Sequence, residues 1–169
     1  GFFDYPGMTL EVFDSGSENT EFLNFLEDQP YPITVNYSSK NLELIENFAR
    51  ALESSKAHKA EYIIFMEDDI EVAPKLSYQI DQFIQRHQQD HKVWSFHASY
   101  SEIAAAVAAG DGHFNLPYPQ FYGSLCFAVS AVDAHSLSAW LINCYRSGGN
   151  RQTADLQISE WLKHKMNVH

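Results

Sequence analysis

The chain has 169 residues, of which 45% are hydrophobic and 14% aromatic, so it is long and apolar enough to form one globular domain with a substantial core. Its 22 acidic and 11 basic residues give a formal net charge of -11, which argues against a duplex nucleic-acid binder and a polybasic membrane surface. With no apolar run of membrane-spanning length and no signal-peptide pattern at the start, we expect a cytoplasmic protein, or alternatively the luminal domain of a secretory-pathway protein.

The spacing of apolar residues predicts alternating strands and helices. Strands are expected at residues 9–13, 33–35, 62–65, 93–96 and 121–129. Helices are expected at residues 21–26, 42–52, 76–87, 133–144 and from about 153, with a small alanine-rich helix ending at Gly110. This order predicts an α/β fold in which at least part of the sheet is parallel.

Local signals place several helix starts and the cysteines. We expect Ser38 or Ser39 to cap the second helix, Pro74 to lie in the first turn of the third, and Asp133 to cap the helix that follows it. Cys126 and Cys144 each lie in an apolar pattern, which favours two buried thiols over a disulfide.

An acidic motif follows the third strand. The apolar run 62–65 is typical of a strand buried on both faces, and it leads into Glu67, Asp68 and Asp69. Three adjacent carboxylates repel one another unless a positive charge lies nearby, and their oxygens suit Mg²⁺, Mn²⁺ and Ca²⁺. A solvated acidic turn is the alternative, although open α/β sheets bind ligands at the carboxyl ends of their strands.

Three pieces in this order resemble the GT-A fold glycosyltransferases: a helix carrying Asn47-Phe-Ala-Arg-Ala51 before the motif, the strand Gly123-Ser-Leu-Cys-Phe127 after it, and Asp155 at the head of a tryptophan-bearing helix. The motif itself resembles the E-D-D form of the family's D-x-D. The resemblance implies a GT-A-like (Rossmann-like), mostly parallel central sheet flanked by helices. Residues 1–169 would form a single catalytic domain without the family's usual first strand and helix.

The resemblance also implies a metal site and a base. Mn²⁺, or Mg²⁺, would bridge the diphosphate of a nucleotide-sugar, with Asp69 as direct ligand and Glu67 and Asp68 acting through water or on the sugar and ribose. His169 would be a further ligand, against the alternative of a frayed end. Asp155 would be the general base of an inverting transfer, against the alternative of a residue that complements the helix dipole.

Donor and acceptor contacts are implied in the same way. Asp14, Asn47 and Arg50 would contact the donor, although Arg50 could instead pair with a neighbouring glutamate. Gly123 and Tyr122 would border the acceptor. His97, which follows the fourth strand, could face the cleft but is more often structural.

The expected function is therefore transfer of a hexosyl or N-acetylhexosaminyl group from a nucleotide-sugar, most simply a UDP-sugar, to a hydroxyl of a carbohydrate or glycoconjugate. A sugar-nucleotide nucleotidyltransferase is one alternative, but residues 1–17 lack its glycine-rich basic phosphate loop. A non-catalytic carbohydrate-binding or interaction module on the same fold is the other.

Overall fold

The computed structural model of the chain describes residues 8–19, 21–29, 32–72, 74–87, 93–96, 105, 125–147 and 153–166. Within these ranges the strands are β1 (Leu10–Phe13), β2 (Ile33–Asn36), β3 (Tyr62–Met66), β4 (Val93–Ser95) and β5 (Cys126–Ser130). The helices are α1 (Glu21–Glu27), α2 (Leu44–Ser54), α3 (Leu76–His87), α4 (Ala131–Arg146) and α5 (Ala154–Met166). A 3₁₀ turn, Ser55–Ala57, extends α2.

The strands form two sheets in a mixed α/β arrangement. β1 and β2 pair in parallel, with Leu10 opposite Ile33. In the second sheet β5 lies between β3 and β4 and is antiparallel to both. The expectation of a mostly parallel sheet is therefore wrong for these three strands, because the chain returns through β5 in the opposite direction and fills the position between β3 and β4.

Helices cover both faces of the second sheet. In β3, Ile63 and Phe65 pack against the larger core, which holds buried residues of α2, β5, α4 and α5. The alternate residues Tyr62 and Ile64 pack against the smaller core, which includes Ile80 and Ile84 of α3 and Trp94 of β4. Successive side chains of a strand point to opposite faces, so the apolar run of β3 reflects two separate layers of helices.

β3 is nevertheless less buried than its sequence predicts. All five of its residues, Tyr62–Met66, are only partly buried, whereas Cys126 to Val129 of β5 are fully buried. The expectation of a strand buried on both faces is correct about the helices above and below it. It is wrong about the extent of burial, because β5 is the only neighbouring strand of β3 in the described part of the sheet.

α2 connects the two sheets. At its start Asn47 Nδ2 donates to Phe13 O over 2.8 Å, and at its end Ser54 Oγ donates to Glu11 Oε2 over 2.8 Å. The side chain of Phe48 meets Phe65 of β3 edge to face, with ring centroids 4.2 Å apart. One helix therefore holds an edge of each sheet.

These contacts also give the direction of the strands. α2 runs from the carboxyl end of β1, at Phe13, back towards Glu11 near its amino end. β3 follows the end of α2 and so runs in the same direction as β1. The carboxyl ends of β1 and β3, which lead into Asp14 and Glu67, consequently lie at the same edge of the molecule.

α4 packs closely against α2. The hydroxyl of Ser138, which is fully buried, donates to the carbonyl of Ala49 over 2.8 Å. A small side chain at Ser138 allows this approach, and Leu137 and Leu141 fill the core on either side of it.

Three helix starts differ from expectation. α2 begins after Glu43, and Ser38 Oγ instead bonds to Lys40 in a turn, so neither Ser38 nor Ser39 is its cap. Pro74 precedes α3 because Lys75 takes a positive φ of 60°, which interrupts helical geometry. The cap of α4 is Ser130, whose Oγ accepts from Asp133 N and donates to Asp133 Oδ2, so Asp133 is the third residue of the helix.

No helix in the described ranges combines the length and the apolar character needed to cross a membrane. Both cysteines are free, and Cys126 is buried as expected while Cys144 is half-buried. Burial raises the pKa of the Cys126 thiol to about 11 and also raises the pKa of Cys144.

The two thiols should differ in reactivity. With a pKa of about 11, roughly one Cys126 thiol in a thousand is ionised at pH 8, and the thiolate is the reactive form. We expect Cys144→Ser protein, whose remaining thiol is Cys126, to react with Ellman's reagent at pH 8 only after unfolding in guanidinium chloride. The wild-type protein should release close to one equivalent before unfolding. Fast labelling of native Cys144→Ser protein would contradict this assignment.

Candidate functional site

The carboxylates of the motif lie immediately after β3. Glu67 N donates to Leu125 O over 2.8 Å, which fixes the backbone where the strand ends. Asp68 and Asp69 are exposed and form the turn that follows. The acids are therefore presented at the carboxyl end of β3, as the sequence predicts.

The charges of nearby acids act on Glu67. Burial raises its pKa, and the negative charges of Asp69, Asp155 and Asp68 raise it further. Asp155 is separated from the motif by more than 80 positions in the sequence, so its effect on Glu67 means that the fold brings the start of α5 to the end of β3. Four carboxylates thus share one region whose electrostatic potential favours a cation.

The position of Asp155 depends on how α5 is anchored. Ile158 and Trp161 of α5 are buried in the larger core, and Trp161 Nε1 donates to Ser136 Oγ of α4 over 3.2 Å. Lys165 Nζ contacts Asp133 Oδ1 at 2.5 Å, which ties the far end of the helix to the start of α4. With the inner face of α5 fixed in this way, its first turn carries Asp155 towards Glu67.

A cavity of about 740 Å³ adjoins the acidic region. Its lining includes every residue of β1 and of β3, parts of α1, α2 and α3, and the loop after β1. At the carboxyl end of the two strands the lining is polar and consists of Asp14, Ser15, Ser17, Asn47, Glu67 and Asp68. Two of the four carboxylates, Glu67 and Asp68, are part of this lining.

Asp14 is held by its own loop. It is only 8% exposed, and its oxygens accept from Gly16 N over 3.0 Å and from Ser17 N over 3.1 Å. Burial alone would raise its pKa, but the hydrogen bonds from Ser17 and Gly16 outweigh that effect and lower it. The carboxylate is therefore ionised and shapes the loop, and it lies where the sequence predicts a donor contact.

Glycine is required in this loop. Gly16 has a φ of 96°, and a Cβ at this position would lie 2.5 Å from Lys40 O. The loop is also bonded to the segment before α2, through Leu42 N to Ser15 O at 2.8 Å. The backbone on this side of the cavity mouth is thus closely packed.

Asn47 lies between β1 and the cavity. Its Nδ2 is used by Phe13 O, whereas Oδ1 is buried and accepts no hydrogen bond from the described residues. A buried acceptor without a donor is unfavourable by about 1–3 kcal/mol. Asn47 therefore holds β1 through its Nδ2 and leaves its Oδ1, a hydrogen-bond acceptor, without a described donor next to the cavity.

The side chain of Arg50 is bonded to backbone carbonyls. Its guanidinium donates to Asp14 O over 3.3 Å and to Tyr37 O over 2.9 Å, and it lies over the Phe13 ring. These contacts join the ends of β1 and β2, and Arg50 does not line the cavity. The described contacts of the guanidinium are thus with backbone carbonyls and the Phe13 ring, and the diphosphate contact expected from the sequence stays a prediction.

Several expected site residues lie outside the described part of the chain. They are the proposed ligand His169, the proposed acceptor residues Gly123 and Tyr122, and His97. For the residues that are described, no group of three or more His, Cys, Asp or Glu side chains is arranged to hold a metal ion. The donor set that is present is all carboxylate, which suits a hard cation that takes its remaining ligands from phosphate and water.

Sequence reasoning missed the role of the serines after β1. Ser15 and Ser17 line the polar end of the cavity, yet the stretch Asp14-Ser-Gly-Ser17 predicts only a turn. An aspartate directly after a strand, with glycine two residues later, was the available signal for an ordered loop at a strand's carboxyl end.

No protein-family model matches the sequence, and comparisons with curated proteins and with solved structures gave no match.

The contacts of Arg50 can be tested by stability. We expect Arg50→Met to lower the free energy of unfolding by about 1–2 kcal/mol, since two bonds from a charged group to backbone carbonyls are lost at a partly exposed site. The exposed cation Lys59 provides the control, and Lys59→Met should stay within about 0.5 kcal/mol of wild type. Urea unfolding followed by circular dichroism measures both. An Arg50→Met protein as stable as wild type would remove this role.

Proposed function

We propose that the protein is a metal-dependent glycosyltransferase with a GT-A-like fold, which transfers a sugar from a nucleotide-sugar, most simply a UDP-sugar, to an acceptor hydroxyl with inversion. The observation that supports it is the cluster formed by Glu67, Asp68, Asp69 and Asp155 beside a cavity at the carboxyl ends of two strands that run in the same direction. Ligand sites of α/β proteins occur at this edge, and charged leaving groups need a cation there.

The carboxylates fit Mn²⁺ or Mg²⁺ in a specific way. Mg²⁺ is commonly bound through one or two carboxylates together with substrate phosphates, and it needs no complete protein cage. Asp69, which is exposed, would be the direct ligand, and Glu67 and Asp68 would act through water or on the sugar and ribose. When bound, the ion supplies the positive charge that stabilises the departing nucleoside diphosphate.

The charge balance of the cavity supports dependence on a metal. Among the described residues that line it, none is lysine or arginine, and His58 is the one basic side chain. His58 is already bonded to Glu11, with 2.7 Å between Nε2 and Oε1. The lining thus offers little positive charge to balance a diphosphate. A cation held at the motif would supply that positive charge.

Asp155 is the described residue to which we assign the proton transfer. As general base it would accept the proton of the acceptor hydroxyl on the side of the sugar opposite the leaving group. Its negative charge contributes to raising the pKa of Glu67, so it lies near the acids that would hold the metal.

The donor would be held at the polar mouth of the cavity. Asn47 Oδ1 can accept a hydrogen bond from a donor hydroxyl, and Asp14 has lone pairs beyond those used by the loop amides. Ser15 and Ser17 add hydroxyls on the same side. Arg50 would act indirectly, by fixing the backbone from which Asp14 extends.

The two alternatives predict different behaviour. A sugar-nucleotide nucleotidyltransferase would need cationic side chains for a triphosphate, and the lining residues that the structure describes include no lysine or arginine. A non-catalytic binding module would keep the acids and bind sugar or nucleotide without turnover, so activity measurements separate it from the transferase.

Loss of Asp69 should abolish metal-dependent nucleotide binding. Partners that only support a ligand typically change metal affinity 10–100-fold, so we expect Asp69→Ala to weaken UDP binding in the presence of Mn²⁺ by about 100-fold or more. Isothermal titration calorimetry with and without Mn²⁺ measures this. Asp28→Ala, at an exposed acid outside the cavity lining, is the control and should bind as wild type does. If wild-type protein binds no UDP with Mn²⁺, the proposed function fails; wild-type affinity in Asp69→Ala would exclude only Asp69.

Loss of Asp155 should impair turnover and spare binding. A general base contributes about 10²–10⁴-fold, so Asp155→Asn should reduce UDP release from UDP-sugars by that order while UDP affinity stays within about twofold. Glu160→Gln is the matched control, because Glu160 is an exposed acid on the same helix, paired with Lys163. Turnover is measured by coupled detection of UDP across a panel of donors and sugar acceptors. Undiminished turnover in Asp155→Asn would mean that Asp155 is not the general base and only complements the dipole at the start of the helix.

A further inference from the structure

Lys165 lies near the end of α5 and makes two contacts there. Its Nζ lies 2.5 Å from Oδ1 of Asp133, which is buried at the start of α4. The same Nζ lies over the ring of Trp161, 5.3 Å from the ring centroid, where the face of an aromatic ring attracts a cation. The ammonium group of Lys165 is therefore fixed by two partners, one on α4 and one on α5 itself.

Asp133 is in turn connected to the sheet that carries the acidic motif. Its second oxygen, Oδ2, accepts from Ser130 Oγ over 3.0 Å. Ser130 is the last residue of β5, and in the antiparallel ladder it lies opposite Tyr62, the first residue of β3. Lys165 is thus connected, through Asp133 and Ser130, to the amino end of β3.

The other end of α5 lies at the other end of β3. Burial raises the pKa of Glu67, and the charge of Asp155, in the first turn of α5, raises it further, so the two acids are close. Glu67 directly follows the last residue of β3. Strand and helix therefore form a closed frame, in which the contacts of Lys165 join one end and the acids meet at the other.

The two long sides of this frame have nearly the same length. Tyr62 and Glu67 are separated by about 17 Å along an extended strand, at roughly 3.3 Å per residue. Asp155 and Lys165 are separated by about 15 Å along a helix, at roughly 1.5 Å per residue. With Lys165 held near the start of β3, Asp155 is consequently placed near its end.

The polar contacts define the position of α5 along its axis more closely than its apolar core does. Ile158 and Trp161 are buried in the larger core, but hydrophobic contacts are non-directional and do not select one axial position. A hydrogen-bonded ion pair holds its two atoms within a narrow range of distance. The hydrogen bond from Trp161 Nε1 to Ser136 Oγ acts in the same sense.

We propose that Lys165 is a positioning residue for the transfer reaction, and that its ion pair with Asp133, at the far end of α5, sets where Asp155 lies relative to Glu67. The inference rests on the proposed function, because Asp155 needs a defined position only if it takes the proton of an acceptor hydroxyl. Lys165 itself would touch no substrate. Its loss would therefore slow transfer and spare the binding of UDP with Mn²⁺.

Lys165→Met tests this, because methionine keeps an unbranched side chain over Trp161 and removes the charge. A misplacement of about 1 Å can cost about 100-fold in rate, so we expect kcat for UDP release in the presence of donor and acceptor to fall about 10–100-fold. KM for the donor, and UDP affinity measured with Mn²⁺ by calorimetry, should stay within about twofold, since only the transfer step is affected. Lys165→Arg, which keeps a cation near Asp133, should restore most of the rate.

A second variant removes the effect of an unpaired buried charge. Asp133 without its cation is unfavourable, which could lower the stability of Lys165→Met protein. The double variant Asp133→Asn/Lys165→Met removes both charges together, and an amide at this position can still accept from Ser130 Oγ. We expect the double variant to show the same fall in kcat with unchanged UDP affinity.

Two controls separate positioning from loss of charge and from loss of stability. Lys163→Met removes an exposed cation from the same helix, paired with Glu160, and should keep the wild-type kcat. Phe83→Leu lowers stability in the smaller core and should also keep it. Thermal unfolding followed by circular dichroism gives the midpoint of every variant, and all rates are measured well below the lowest midpoint.

Each outcome decides between the two proposals. A fall in kcat with unchanged UDP affinity, in Lys165→Met and the double variant and in neither control, supports the positioning role. Wild-type kcat in both variants, or an equal fall in Phe83→Leu, overturns that role and leaves the proposed function intact. A parallel loss of UDP affinity also overturns it, because the effect would then reach beyond Asp155. If wild-type protein shows no turnover with any donor and acceptor, the proposed function fails and the positioning role fails with it.

Discussion

The arrangement of this protein depends on α2, which holds an edge of each of two sheets. Its first half fixes β1 through Asn47 and packs Phe48 edge to face against Phe65 of β3, and its last residue, Ser54, bonds to Glu11 of β1. The buried hydrogen bond from Ser138 to Ala49 then binds the helix to α4. A helix anchored at both ends sets the relative position of the two sheets, and so it also sets the position of the acidic motif relative to the loop after β1.

The site follows from this arrangement and from electrostatics. Glu67 is constrained by the strand before it, and Asp155 is brought to it by α5, whose Trp161 is buried against α4. Four acids in one region repel one another, and this repulsion supports the proposed metal site. In the part of the cavity lining that the structure describes there is no lysine or arginine, which supports the same proposal.

Much of the local structure could be predicted from the sequence, because apolar periodicity reports which side of an element is covered. The strands at Leu10, Ile33 and Tyr62 and the acids after β3 were found in this way. Pairing could not be predicted, since the antiparallel position of β5 depends on how the chain returns and leaves no local pattern. Partial burial of β3 was also hidden, because an apolar run looks the same whether or not a second neighbouring strand is present. Arg50 illustrates a third limit: a cation near a motif suggests a ligand contact, while its two backbone carbonyl partners are brought to it only by the fold.

β1 and β3 each have one edge without a partner strand among the described residues, which has a consequence for the protein in solution. Copies that meet edge to edge could extend each other's sheets, and the net charge of -11 opposes such encounters at neutral pH. That repulsion vanishes near the isoelectric point of about 5.0, while the backbone groups of the edges do not titrate. The surplus of acidic residues thus opposes the association of copies at neutral pH, and mild acid is the condition in which this repulsion is lost.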